Sequence, residues 1–226
     1  MKQAPEKFRT YKNVFDEQTL RILFKLSSEG YFEELRSPIS IGKESNVFSA
    51  VKKDGSLICV KIYRVNTADF KRMYKYIAND NRFKGLQNKK RQIIYAWAQR
   101  EYRNLLIARD VGVNVPTPYA VRGNVLLMQL FGDKEGNASP RLKDQPPKNP
   151  NKFIKELLSN LKKMNKIGLI HGDLSEFNIL NHNEKPIIID FSHGVKIDYL
   201  GSKELYERDV INVKRYAKKL NVKIEL

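Results

Sequence analysis

Apolar positions recur along the chain at spacings that change from helical to strand-like and back, and these spacings predict its elements. After a polar and aromatic N-terminal arm, Leu20, Leu23 and Phe24 share one face of a helix that begins near Asp16. The acidic first turn and Gly30, which ends the pattern, are typical start and stop signals. An amphipathic helix is therefore expected before the first strand.

Strands are expected next, because apolar and polar positions then alternate with a period of two. The runs 47–51 and 57–63 have this pattern, and Asp54-Gly55 between them is a strong hairpin signal. Residues 39–41, after Pro38, are expected to form the preceding strand.

A basic segment, residues 64–92, separates these strands from a long helix. We expect a helix in its first part and a flexible basic loop at about 79–92, where no period is visible. Helical spacing returns at Ile94. One face of this second helix carries Trp97, Ala98, Glu101, Leu105 and Ala108.

The second half of the chain opens with another predicted hairpin, in which 120–121 and 125–130 flank Arg122-Gly123-Asn124. The segment 132–150 is rich in Gly, Pro, Asn and charged residues, which is typical of a boundary between lobes. Asn149-Pro150 is a helix start signal. The helix that follows is expected to bury Phe153, Leu157, Leu161 and Met164, and a last helix, about 203–220, to bury Val210, Val213, Ala217 and Leu220.

Candidate chemistry is concentrated in Ile170–Leu180, which places a His, an Asp and an Asn in a short loop between apolar runs. Asn178 follows Asp173 by five residues, and the next apolar strand ends in Asp190. Kinase-type phosphoryl transfer uses one carboxylate near the attacking group, and an amide oxygen and a second carboxylate as Mg²⁺ ligands. We therefore expect Asp173 to be the catalytic base or to position the attacking hydroxyl, and Asn178 and Asp190 to bind Mg²⁺. His171 is expected to orient the loop.

A lysine and a glutamate far apart in sequence are expected to pair. Glu101 lies on the apolar stripe of the long helix, where a carboxylate is costly unless it is paired. Lys61, on the strand 57–63, is its natural partner, and in kinases such a pair holds the α- and β-phosphates of ATP. A solvated edge-strand lysine is the alternative for Lys61 alone.

A turn between two predicted strands is a further candidate for ATP binding. It contains Gly42, Lys43 and Ser45, whose backbone amides, ammonium and hydroxyl suit phosphate. The turn is neither glycine-rich nor a Walker A motif, so an ordinary hairpin turn is the alternative for this segment taken alone.

The predicted hinge is 128–131, at the end of the strand 125–130. Met128, Gln129 and Phe131 belong to it, and its backbone groups are expected to meet the adenine edge of ATP. Three apolar residues are expected either to sandwich the base or simply to pack in the core. They are Ile41, Val47 and Ile189.

Taken in order, these elements indicate an α+β, two-lobed, protein-kinase-like fold with a nucleotide cleft between the lobes. The N-lobe is an antiparallel sheet plus helix, and the C-lobe is reduced and mainly helical. We expect residues 1–38 to be an arm and helix, 39–131 the N-lobe, and 132–226 the hinge, linker and C-lobe.

Charge and composition narrow the range of partners. The net charge is +17, with 42 Lys and Arg against 25 Asp and Glu, which favours an RNA-rich partner over a merely lysine-rich surface. The single cysteine, Cys59, excludes an internal disulfide and fits a reducing compartment. There is no run of membrane-spanning length and no signal-like start, so a cytoplasmic protein without a membrane partner is expected.

With these residues in place, the chain resembles the RIO family of atypical protein kinases, and most closely its first subfamily in a short, archaeal-like form. The resemblance runs from about Asp16 to Leu220. Residues 1–38 are too short for the winged-helix domain of the second subfamily. The most specific matching pieces are 42–48, 60–63, 101–105, 171–178 and 188–192.

The resemblance implies ATP and Mg²⁺ as cofactors, with Mn²⁺ as an alternative metal, and autophosphorylation on serine. It implies that Asp190 can also accept phosphate as an aspartyl-phosphate, so that the enzyme works as an ATPase. Its implied role is late maturation of the small ribosomal subunit, with a pre-ribosomal, rRNA-rich particle as partner and no DNA.

Two departures from ordinary protein kinases argue against phosphorylation of many other proteins, and both fit the RIO pattern. Gly172 stands where those enzymes carry an arginine, so an activation-loop phosphate would have no receiver. The sequence after Asp190 is also too short for an activation segment and peptide-docking helices. The stretch Phe191-Ser192-His193 is a variant within the RIO pattern.

Three rival functions share some of these motifs. An aminoglycoside or choline kinase has the same loop but needs a larger helical half. The small kinase of the tRNA-modification complex is of similar size, but the turn 42–45 and the insertion 64–92 argue against it. A pseudokinase that binds ATP without turnover is disfavoured because Lys61, Asp173, Asn178 and Asp190 are all present.

Overall fold

The computed structural model describes residues 15–65, 69–80, 83 and 89–224. The chain divides into two compact units. The first comprises Met1–Tyr102 and Pro118–Ala138, and the second Arg103–Thr117 and Ser139–Leu226. Each is treated by itself below.

Five α-helices and nine β-strands make up the described part of the chain. The helices are α1 (Glu17–Ser28), α2 (Phe70–Ala78), α3 (Lys90–Asp110), α4 (Pro150–Lys166) and α5 (Ser202–Lys219). The strands are β1 (Glu34–Ile41), β2 (Ser45–Val51), β3 (Leu57–Tyr63), β4 (Pro118–Arg122), β5 (Val125–Gln129), β6 (Leu169–Ile170), β7 (Ile179–His182), β8 (Lys185–Ile188) and β9 (Val195–Lys196). Within those described residues, no helix is both long and apolar enough to cross a membrane.

An antiparallel sheet of five strands, in the order β1-β2-β3-β5-β4, forms the framework of the first unit. Both predicted hairpins are confirmed. Gly55 has φ +81° in the β2–β3 turn, and the Asp54 carboxylate accepts the Ser56 N–H there. Gly123 has φ +55° between β4 and β5, and a Cβ at this position would lie 2.5 Å from Ile22.

Helix α1 packs on this sheet and belongs to the same core. Asp16 caps it, and Leu20, Leu23 and Leu26 are buried in the cluster formed with the sheet. Phe24, predicted on the buried face, is 43% exposed, so that part of the prediction is wrong. Its position lies one residue outside the buried 20–23–26 stripe.

Strand β1 starts earlier than predicted. Glu34 and Leu35 already pair with Val51 and Ala50 of β2, so a boundary at residue 38 cuts through a strand and is wrong. Irregular register around Pro38 explains the error, because the chain shows no clean alternation there.

Helices α2 and α3 pack together in a second cluster of the first unit. Met73 and Ile77 of α2 meet Ile93, Ile94 and Trp97 of α3. Because α3 begins at Lys90, the loop predicted at about 79–92 is too long at its C-terminal end. Most of the remaining loop lies outside the described residues.

The second unit combines two long helices with two short antiparallel strand pairs, β6 with β9 and the hairpin of β7 with β8. Asn149 caps α4 as predicted, by accepting the Lys152 N–H. Phe153, Leu157 and Met164 of α4 are buried, and Leu161 is only half-buried. The buried face of α5 is rotated from the predicted one and carries Asp209, Val213, Tyr216 and Ala217, while Val210 and Leu220 are half-buried.

The division between the units falls at residues 138 and 139, inside the predicted boundary segment 132–150. It does not fall at 131 and 132, because Gly132 bridges Ala138 and the intervening turn stays with the first unit. Arg103–Thr117, the end of α3 and the following loop, belongs to the second unit instead of the predicted N-lobe.

Candidate active site

Lys61 and Glu101 form a buried ion pair in the first unit, as their sequence context predicts. The Lys61 Nζ lies 2.9 Å from the Glu101 carboxylate, with side chains 6% and 0% exposed. The Tyr63 hydroxyl, on the same face of β3, donates a hydrogen bond to the Oε2 of Glu101, and Lys61 contacts both carboxylate oxygens. The carboxylate therefore has two partners, as a buried charge requires.

The turn between β1 and β2 is a tight closed loop. Gly42 N–H donates to the Ser45 carbonyl at 2.9 Å, and Ser45 already begins β2. Arg64, just beyond β3, donates its guanidinium to the Gly42 carbonyl at 3.1 Å and its backbone N–H to Glu44 at 2.8 Å. A cation is thus fixed beside Lys43, and Arg64 joins the candidates for phosphate binding.

The residues predicted for the hinge are found at the end of β5. Met128 is buried and pairs with Cys59, and Gln129 pairs with Ile58, so both still belong to the sheet. Phe131 follows the strand and is half-buried. Ile41, one of the residues expected against the base or in the core, is 70% exposed.

In the second unit, the β7–β8 hairpin brings the three key polar residues together. Ile179 pairs with Ile188, and the Ile189 N–H donates to the Asn178 carbonyl at 3.0 Å. Asn178 therefore lies opposite Ile189 at the open end of the hairpin, and Asp190 is the next residue after Ile189. The Asn178 amide nitrogen donates to the Asp173 carbonyl oxygen at 2.8 Å and to its carboxylate at 3.0 Å.

Asp190 has a backbone conformation that is uncommon for a residue with a side chain. Its φ of 64° and ψ of 63° are left-handed, and it starts a 3₁₀ turn over Phe191–His193. The Ser192 hydroxyl donates to the Asp190 carboxylate at 2.8 Å. Strained backbone of this kind persists only where neighbouring contacts fix it, and it clusters at functional sites.

His171 orients the loop, as predicted. Its Nε2 lies 3.0 Å from the Ile189 carbonyl oxygen, and its ring packs edge-on against Phe191 with centroids 4.7 Å apart. It therefore links the loop that carries Asp173 to the chain on both sides of Asp190.

Helix α5 holds the backbone on both sides of Asp173. The two oxygens of Asp209 accept the N–H groups of Gly172, at 2.7 Å, and Leu174, at 2.8 Å. Arg208 donates to the Gly172 carbonyl, and Asn212 donates to the Leu174 carbonyl at 3.0 Å. Each neighbour of Asp173 is thus held at its N–H and its C=O, which fixes the direction of the Asp173 side chain.

Burial raises the pKa of the Asp209 carboxyl, while His171 and the two backbone N–H groups oppose that rise. The carboxylate keeps its place because it accepts two strong hydrogen bonds. At Gly172, φ is +77° and a Cβ would lie 2.8 Å from the His193 carbonyl oxygen, so an arginine there would be strained.

The donor set suits Mg²⁺ better than a softer metal. Across the described ranges, no group of three or more His, Cys, Asp and Glu side chains forms a metal site. Asn178 and Asp190 offer hard amide and carboxylate oxygens, and Mg²⁺ commonly takes one or two such protein ligands, with phosphate and water supplying the rest. The residues present therefore fit a magnesium ion bound together with a phosphate ligand.

Comparison with known proteins agrees with this geometry. Residues 46–226 match the RIO domain family. The chain is 36% identical to the RIO-type serine/threonine-protein kinase Rio1 of Haloferax volcanii, over 95% of this chain and 73% of that protein. The chain belongs to the RIO kinase family. The Rio1 protein of Methanocaldococcus jannaschii is 39% identical over 96% of this chain and 74% of its own length, and these two archaeal relatives agree with the predicted first subfamily.

A solved RIO structure shows the same fold. The Rio2 kinase of Chaetomium thermophilum, determined as an ADP/Mg²⁺-phosphoaspartate complex, superimposes with a TM-score of 0.70 at 24% identity. The likeness covers 92% of this chain and 62% of that one. The predicted two-lobed, kinase-like α+β fold is therefore confirmed.

Sequence reasoning missed the groups that hold the site. Arg208, Asp209 and Asn212 were not singled out, because their contacts lie more than thirty residues away in sequence. Asn104 was visible only as part of a matching motif, with no role attached. An acidic residue within the apolar stripe of a predicted helix is the sequence signal for a buried carboxylate that needs a partner. This signal identified Glu101 but was overlooked at Asp209.

Proposed function

We propose that this protein is a Mg²⁺- and ATP-dependent serine/threonine protein kinase with ATPase activity. The observation that carries the proposal is the cluster of Asp173, Asn178 and Asp190 at the open end of one hairpin, held from α5 and by His171. The Rio1 names of the archaeal relatives and the ADP/Mg²⁺-phosphoaspartate complex of the Rio2 structure support it.

The roles of the residues follow from their contacts. Lys61, held by Glu101, offers an ammonium of fixed position to phosphate oxygens, with Lys43 and Arg64 as further cations. Asn178 and Asp190 would hold Mg²⁺, whose charge would stabilise the negative charge that develops on the transferred phosphoryl group. Asp173 lies beside Asn178 and positions the attacking hydroxyl or water.

We also propose that Asp190 accepts the phosphoryl group. A carboxylate oxygen forms a bond to the γ-phosphorus while the bond from that phosphorus to the β–γ bridging oxygen breaks, and ADP leaves. Water then attacks the acyl phosphate and releases inorganic phosphate, which restores the carboxylate. The Ser192 hydroxyl donates to the Asp190 carboxylate and would orient it before the transfer. Net turnover is ATP hydrolysis.

The proposal is tested by incubating the protein with Mg²⁺ and γ-labelled ATP. Wild type should give acid-stable phosphoserine and free phosphate, and Asp173→Asn should lose most of both. Asp198→Asn, an exposed carboxylate of the same unit, is the matched control and should behave as wild type. Rapid transfer to an aminoglycoside or to choline, without autophosphorylation, would overturn the proposal in favour of a small-molecule kinase.

We also propose that the protein acts in maturation of the small ribosomal subunit, with an rRNA-rich precursor particle as its partner. This proposal is supported by the net charge of +17 and by α2, whose exposed face carries Lys71, Arg72 and Lys75 and no acidic residue. Co-sedimentation with small-subunit precursors at moderate salt tests it. Replacing those three residues by Glu should weaken binding and flatten its salt dependence, since each lost phosphate contact removes about 0.7–0.9 from the log–log slope.

A matched control for this surface is available on α4, where Lys152, Lys155 and Lys162 are also exposed. Their replacement by Glu changes the net charge equally. If both triple variants lose affinity to the same degree, α2 has no special part and only net charge matters. If wild type sediments no better than an unrelated basic protein, the partner proposal fails.

A further inference from the structure

Helix α3 carries another buried polar side chain, nearly one turn after Glu101. Asn104 is fully buried, and its amide nitrogen donates to the carbonyl oxygens of Phe191, at 3.0 Å, and Gly194, at 2.9 Å. These two carbonyls stand at the two ends of the 3₁₀ turn that follows Asp190. One side-chain amide therefore spans the whole turn.

The turn is built to accept this amide. The Gly194 N–H also donates to the Phe191 carbonyl, at 3.0 Å, and closes the turn from within. A Cβ at Gly194 would lie 2.6 Å from the Asn104 amide nitrogen, closer than a real Cβ contact allows. The approach of Asn104 thus depends on glycine at this position.

The direction of the Asp190 carboxylate depends on the same turn. Asp190 enters it in the left-handed conformation, and Ser192, the middle residue of the turn, donates to the Asp190 carboxylate at 2.8 Å. If the turn relaxed, Asp190 would be free to return to a commoner backbone conformation and the Ser192 contact would be lost.

We propose that Asn104 is a positioning residue for Asp190. It holds the 191–194 turn so that the Asp190 carboxylate keeps the orientation that Mg²⁺ binding requires, without touching metal or phosphate itself. The inference rests on the proposed function. It predicts that loss of Asn104 weakens the effect of Mg²⁺ on nucleotide binding, beyond any general loss of stability.

A matched control separates positioning from plain structural support. Asn124, in the first unit, is 1% exposed, and its amide nitrogen also donates twice, to Thr19 Oγ1 at 3.0 Å and to the Tyr63 carbonyl at 2.8 Å. Asn104→Ala and Asn124→Ala each remove a buried side-chain amide that donates to two oxygens. Both are expected to lower the melting temperature, so melting alone does not distinguish the two roles.

The deciding measurement is calorimetric ADP affinity in EDTA and in excess Mg²⁺, at a temperature where every variant is folded. Wild type and Asn124→Ala should show the same tightening by Mg²⁺. In Asn104→Ala that tightening should fall at least fivefold, while the affinity in EDTA stays within twofold of wild type. Gly194→Ala, whose Cβ displaces the Asn104 amide, should reproduce the loss and decides the matter if Asn104→Ala does not fold.

This experiment distinguishes failure of the positioning role of Asn104 from failure of the proposed function. If Asn104→Ala and Gly194→Ala keep the wild-type tightening within twofold, Asn104 is structural only and the positioning role is wrong. If ADP affinity of the wild type does not respond to Mg²⁺, the proposed function is overturned and the positioning role with it.

Discussion

Replacing one member of the Lys61–Glu101 pair should destabilise the first unit far more than replacing both members together. At 2.9 Å the Coulomb attraction is about 6 kcal/mol with an effective dielectric constant of about 20, and the cost of taking both charges out of water offsets most of it. Lys61→Met or Glu101→Gln removes the attraction but leaves the other charge buried.

The expected loss is about 3–5 kcal/mol in the free energy of unfolding for either single variant. In the double variant Lys61→Met/Glu101→Gln no charge remains buried, so its loss should be smaller than that of either single variant, and smaller than their sum by at least about 3 kcal/mol.

Urea unfolding followed by the fluorescence of Trp97 is the assay. The chain has one tryptophan, and its ring is 1% exposed in the α2–α3 cluster of the same unit as the pair. The transition therefore reports on the unit that contains the substitutions. The midpoint should move while the denaturant slope stays constant. Single losses below about 1 kcal/mol, or simple additivity in the double variant, would refute the reasoning.

Three further predictions concern other parts of the molecule. Asp209→Asn keeps one acceptor oxygen but places an amide N–H₂ opposite a backbone N–H of Gly172 or Leu174. The kcat for ATP turnover should therefore fall about 10- to 100-fold with little change in KM, while the control Asp198→Asn should keep the wild-type kcat. Asp16→Ala removes the cap of α1 and should cost about 1 kcal/mol by urea unfolding near neutral pH. Partial burial acts to raise the pKa of the Asp16 carboxyl, but hydrogen bonds from Thr19 and Arg91 outweigh burial and lower the pKa below its ordinary value of 3.8. The stabilisation of the folded state by Asp16 should therefore be lost as the pH falls below 3.8. A difference in unfolding free energy between wild type and Asp16→Ala that grows in acid would contradict this. Burial raises the pKa of Cys59 to about 12, so iodoacetamide should label it slowly at pH 8 in the native protein and rapidly in urea; equal rates would show that the thiol is accessible.

The sequence could predict what depends on local pattern. Apolar spacing from Trp97 to Ala108 placed Glu101 inside the core, and the cost of an unpaired buried carboxylate then pointed to Lys61, which the structure bears out. The hairpins at Gly55 and Gly123 and the cap at Asn149 were likewise visible, because each depends on a few adjacent residues.

Contacts between distant segments were beyond that reasoning. Asp209 shares the buried face of its helix with Val213, but nothing local in the sequence shows that its carboxylate holds the backbone of residues 172–174. The start of β1 at Glu34 depends on pairing with Val51 across an irregular register. Phe24 lies one position from the buried face that carries Leu23, so helical spacing alone assigned it to that face.

The account depends most directly on Asp190 as the residue that receives phosphate. Wild-type protein incubated with Mg²⁺ and γ-labelled ATP, then quenched in acid, should carry, besides phosphoserine, label that hydroxylamine removes. Asp190→Asn should carry no hydroxylamine-labile label and should release almost no free phosphate. A wild-type protein whose label all resists hydroxylamine, together with unchanged phosphate release in Asp190→Asn, would contradict the account.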